Sequence, residues 1–173
     1  MQTLYYLVNS VLSFLVYAFL LRVLLQVVRA DFRNPLAEAV VALTNWLVLP
    51  LRKILPPVGR FDTASLVALV AVQVGAELIL QRLVLQPMPY GLLVEVARLL
   101  ALATLMLYTI LIFVYAALSF IAPGARSPAT TLLASLCEPV LQPLRRVLPI
   151  VGGLDFSPLV AIVGLTALRI LIS

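Results

Sequence analysis

Two basic pairs carry the most distinctive chemistry of this chain. Arg52-Lys53 and Arg145-Arg146 stand 93 residues apart, and an aspartate follows each leading arginine by 10 residues, Asp62 and Asp155. Cations so placed can lock a loop through an ion pair, or attract anionic head groups at about 1 kcal/mol per basic residue. They can also hold a phosphate or a protein partner by charge-assisted hydrogen bonds. Each pair sits in a segment of one pattern: Pro50-Leu-Arg-Lys-Ile-Leu-Pro56-Pro-Val-Gly59-Arg-Phe-Asp62, and Pro143-Leu-Arg-Arg-Val-Leu-Pro149-Ile-Val-Gly152-Gly-Leu-Asp155. Prolines at this spacing fix φ and remove donors, which frames a single short helical turn. Gly59 and Gly152 permit a left-handed exit, and Asp62 and Asp155 then fall where a helix N-cap belongs.

A second group lies inside an apolar run. Glu77 is the one carboxylate well within it, with Gln73 and Gln81 four residues to either side, one polar stripe on a helix. Ionisable groups at membrane depth are costly and invite a functional hypothesis. Under the repeat offset Glu77 matches Ile170 while Arg169 matches Ala76, so Glu77 and Arg169 are expected at similar depth and as an interhelical ion pair. The alternative is that both lie close enough to the outer interface to snorkel. Arg22 is a poorer partner for Glu77, because it falls near the cytoplasmic end of the first span. No nucleophile and base stand together. The chain has no His and a single Cys, Cys137, which excludes an imidazole base, a Cys/His zinc site, an intrachain disulfide and a C-x-x-C-H haem attachment. No catalytic, metal or cofactor residue is expected, and the chain does not read as an enzyme.

The elements that position these groups follow from composition. Of 173 residues 64% are hydrophobic and 11% charged, more apolar surface than a soluble domain this short can hide. The net charge of +5 sits in short loops beside apolar runs, so orientation and anionic lipid explain it, and no nucleic-acid partner is expected. Apolar stretches at 4–28, 63–85, 96–121 and 156–172 read as transmembrane helices, the first of them retained rather than cleaved as a signal peptide. Helices at 35–49 and 128–142 begin at the caps Asn34-Pro35 and Ser127-Pro128 and stop at Pro50 and Pro143. At about 21 Å they are too short to span, and read as interfacial or re-entrant. The expected fold is an all-α membrane protein: four transmembrane helices in two parallel tandem repeats, 1–85 and 96–173, joined by a linker at 86–95, each with a short interfacial amphipathic helix. The positive-inside rule places both repeat loops in the cytoplasm and both termini outside it. Small residues at Ala64, Ala68, Ala71 and Gly75, and at Ser157, Ala161 and Gly164, read as packing seams.

The paired P-L-R-[KR]-x-L-P-x-x-G-x-x-D segments, the two capped starts and Asp31-Phe32 resemble the YggT family of bacterial inner-membrane proteins, also called YlmG-like, over nearly the whole chain. The resemblance implies localisation in the cell inner membrane and two YGGT repeats, and it transfers no biochemical activity. Bacterial members look linked to osmotic tolerance and cell division, and plastid and cyanobacterial relatives to cytochrome b6f maturation and nucleoid distribution. The expectation is a scaffold or assembly factor docking membrane lipids or a membrane protein through Arg52, Lys53, Arg145 and Arg146, with a homo-oligomer among the open arrangements. The alternative is a small channel or transporter component for an ion or osmolyte.

Overall fold

A computed structural model describes residues 2–56, 62–84, 91–122, 124, 127–148 and 155–173. Within the described residues the chain is all helical, with α1 Gln2–Val27, α2 Pro35–Ile54, α3 Thr63–Val84, α4 Leu92–Ile121, α5 Pro128–Val147 and α6 Ser157–Ile172. The helices α1, α3 and α4 are long and apolar enough to cross a bilayer. The fourth expected span, α6, has 16 residues, about 24 Å against a hydrocarbon core of about 30 Å. Three of the four expected spans therefore meet the length that a crossing needs.

The short helices run further than the proline positions imply. α2 continues through Pro50 to Ile54, and α5 continues through Pro139 and Pro143 to Val147. All three prolines occupy exposed positions. There a carbonyl deprived of its donor faces outward, and the helix can bend away from the ring. The opposite faces are held by burial: Ala37, Thr44 and Val48 in α2, and Leu132, Leu136, Cys137 and Leu141 in α5. Packing thus overrides the local stop signal. Each basic pair closes a 20-residue helix and does not sit on a separate turn.

The helix starts form as their residues dictate. Asn34 Oδ1 accepts the Leu36 N–H at 3.0 Å. Ser127 Oγ accepts the Thr130 N–H at 3.1 Å while Thr130 Oγ1 accepts the Ser127 N–H at 2.9 Å, a reciprocal capping box. Gly59, Pro149 and Gly152 of the loop motif lie outside the described residues.

The chain divides into two compact units, Met1–Val27 with Ala39–Ala101, and Val28–Glu38 with Leu102–Ser173. In the first, α1 packs along α3. Val16, Phe19, Leu20 and Val23 are buried on α1, and Ala64, Ala68 and Leu69 on α3. Of the expected small-residue seam Ala64 and Ala68 are enclosed, whereas Ala71 is exposed and a Cβ on Gly75 would meet no atom within 4 Å. In the second unit Ile112, Cys137, Leu141 and Ala161 form a core ringed by Tyr115, Val140, Leu144 and Leu165, which joins α4, α5 and α6.

Candidate functional site

The two arginine–aspartate pairs of the sequence close in space. In the first unit Arg52 Nε donates to Asp62 Oδ2 at 3.0 Å and its Nη2 makes a second bond to the same oxygen. In the second, Arg145 Nε donates to Asp155 Oδ2 at 2.8 Å. Both clamps fasten the last turn of α2 or α5 to an aspartate one or two residues ahead of the helix that follows. Burial alone pushes the Asp62 carboxyl up, but the Arg52 guanidinium and the Ser65 hydroxyl outweigh it and hold the acid below its ordinary value. Asp155 behaves alike: burial raises it, and Arg145 together with the Ser157 N–H at 2.9 Å brings it below the ordinary value. The N-cap of α6 is Phe156 rather than the expected Asp155, which accepts the Ser157 N–H from one position further out. Asp62 spends its carboxylate on side-chain donors instead, namely Arg52, Ser65 and Gln26. Lys53 and Arg146, the second members of the basic pairs, are exposed beside these clamps.

A buried arginine adjoins the first clamp. Arg22 projects from α1 and is 2% exposed. Its Nε donates to Ser65 Oγ at 3.0 Å, and its Nη1 reaches Thr44 Oγ1 at 2.7 Å, Asn45 Oδ1 at 2.9 Å and the Val41 carbonyl at 3.2 Å. Gln26, one turn further along α1, donates to Ser65 Oγ at 3.0 Å and to Asp62 Oδ2 at 3.3 Å. Ser65 Oγ in turn donates to Asp62 Oδ2 at 2.7 Å. Three helices, α1, α2 and α3, are therefore tied by one polar network ending on one carboxylate. The sequence presents Arg22 only as a poor partner for Glu77 near the end of the first span. The signals that mark it are a guanidinium six residues inside the span's end and the four-residue spacing to Gln26, which puts both on one helix face.

The second unit does not copy this network. At the 93-residue offset Tyr115, Cys137 and Glu138 replace Arg22, Thr44 and Asn45. Cys137 and Tyr115 join the apolar core, and Glu138 Oε2 accepts from Arg145 Nη1 at 3.1 Å. Burial, with Glu138 adding to it, pushes the Cys137 thiol up to about 12, so it is neutral and inert. Gln73 is buried and Glu77 half-buried on α3, while Arg169 is exposed on α6 in the other unit. Among the described residues no cluster of His, Cys, Asp and Glu is arranged to hold a metal ion.

Three long apolar helices and arginine clamps at the helix ends define a small membrane protein, all-helical among the described residues. The chain belongs to the CCB3/YggT family, whose model matches residues 1–83 and 94–173. It is 37% identical to the uncharacterized protein PA0392 of Pseudomonas aeruginosa, over 96% of this chain and 86% of that one. It is 35% identical to the uncharacterized protein YggT of Escherichia coli K12, over 94% and 85%. A Vibrio alginolyticus protein described as uncharacterized, in the proC 3′ region, is 33% identical over 95% and 90%. No solved structure matches the chain.

Proposed function

We propose that the protein is a non-enzymatic scaffold or assembly factor of the inner membrane, docking anionic lipid and a protein partner at the ends of α2 and α5. The two repeats lie parallel, with both clamped helix ends on the cytoplasmic side and both termini opposite, as the basic loops favour. The observation that carries the reading is the recurrence of the clamp. Arg52 and Arg145 each turn inward onto an aspartate, which leaves Lys53 and Arg146 presented at fixed helix ends. Topology alone asks for positive charge in a loop and has no need of such geometry. An organising role agrees with the osmotic and division links that the family resemblance implies. A channel finds less support, since the buried Ala68 and Leu69 lie on α3 between the Arg22 network and Gln73.

Crosslinking in native membranes tests the proposal. The Lys53→Ala/Arg146→Ala double variant leaves both clamps intact. A partner captured by wild type and lost from this variant at equal expression supports docking at the helix ends. A partner captured equally by both overturns it.

A further inference from the structure

Arg22 is a cation with too few anions. Every hydrogen bond it makes ends on a neutral oxygen, of Ser65, Thr44, Asn45 or Val41. The nearest carboxylate in the network, Asp62, already takes two bonds from Arg52. Two guanidinium groups thus share one acid at the membrane edge, where an uncompensated charge is costly. The Nη2 amine of Arg22 makes none of these bonds. Among the described residues no fully enclosed side-chain nitrogen or oxygen lacks a partner, so Nη2 is not sealed within the protein.

Depth identifies what waits there. Arg22 stands five residues inside the end of α1 and bonds Ser65 on the first turn of α3, so it lies close to one end of both spans. From there a long cationic side chain can snorkel to the level of the head groups. Trp46 marks the same level independently. It is 61% exposed and packs edge-on against Phe19, one helical turn from Arg22, with ring centroids 6.1 Å apart. Exposed tryptophan gathers at the head-group boundary. A phosphodiester carries the missing negative charge and the acceptor oxygens that a guanidinium edge prefers.

We propose that Arg22, through Nη2, binds the phosphate of one phospholipid head group beside Trp46. The proposal deepens the lipid-docking reading and rests on it for the membrane level alone. It assigns one lipid per chain, because the second unit has Tyr115 in place of Arg22 and gives Arg145 two carboxylates, Asp155 and Glu138.

The test is native mass spectrometry of the full chain, delipidated in neutral detergent and titrated with phosphatidylglycerol, diacylglycerol or inorganic phosphate. Wild type is expected to retain one phosphatidylglycerol and no diacylglycerol. Arg22→Gln should weaken retention about tenfold, as loss of a charged hydrogen-bond partner implies. If that variant does not fold, Arg22→Lys keeps the charge, loses the forked amines and should also weaken retention. Lys53→Ala/Arg146→Ala should leave this one lipid bound, which separates failure here from failure of the docking reading. Equal retention by wild type and the Arg22 variants overturns the site. So does loss of the lipid in the Lys53/Arg146 variant alone, or inorganic phosphate binding in its place.

Discussion

Arg22 reaches Asp62 through a single hydroxyl: Ser65 Oγ accepts from Arg22 Nε at 3.0 Å and donates to Asp62 Oδ2 at 2.7 Å. The cation is oriented by this relay without being neutralised by it. Ser65→Ala should break both links at once, leaving a buried donor unpaired. Such a loss costs about 1–3 kcal/mol, and the unfolding midpoint of the detergent-solubilised protein should fall accordingly. An unchanged midpoint would show that the relay bears no load.

The two clamps should differ in strength. The Asp62 side chain is 13% exposed and that of Asp155 36%. A double-mutant cycle on Arg52 and Asp62 should therefore give a larger coupling than one on Arg145 and Asp155. Both lie near the range of about 0.2–1 kcal/mol known for partly exposed pairs. Equal couplings would mean that burial of the acid does not strengthen the first clamp.

Acid should loosen both clamps together. Asp62 and Asp155 titrate below the ordinary carboxylate value of 3.8. A depressed folded pKa contributes stability that is fully present above the unfolded value and lost as pH falls through the folded one. Thermal unfolding followed against pH should be insensitive to these acids above 3.8 and should weaken beneath it. Asp62→Asn/Asp155→Asn should be less stable at neutral pH and lose part of that acid dependence.

Cys137 should report on the second core. Fully buried, with its thiol pushed up to about 12, it should resist maleimide at neutral pH in the folded protein and react once the protein is denatured. Rapid labelling of the native protein would contradict the packing of Leu141 and Ile112 with it.

Much of this was legible in the sequence because repetition exposes the backbone of the design. The 93-residue offset brought out both clamps and both helix starts, and the structure closes each clamp where the ten-residue spacing put it. Proline misled at Pro50 and Pro143, since a local stop signal carries no information about the packing of Val48 or Leu141 that outweighs it. Repetition also hid what was not repeated. Arg22 has Tyr115 as its counterpart, so a search for recurring residues passes over it, and its partners Thr44, Asn45 and Ser65 come from two other helices.

Asn34 at the start of α2 does more than cap its own helix. Its Nδ2 donates to the Pro128 carbonyl at 2.6 Å, at the start of α5. In a dimer of single-repeat chains a two-fold axis would produce this bond twice, each copy's amide meeting the other's carbonyl. Here Ser127 holds the counterpart position and uses its hydroxyl within its own capping box. Covalent duplication frees each half from mirroring the other, so the bond survives in one direction alone. The same freedom lets one half carry a buried cation while its twin fills that place with a phenol.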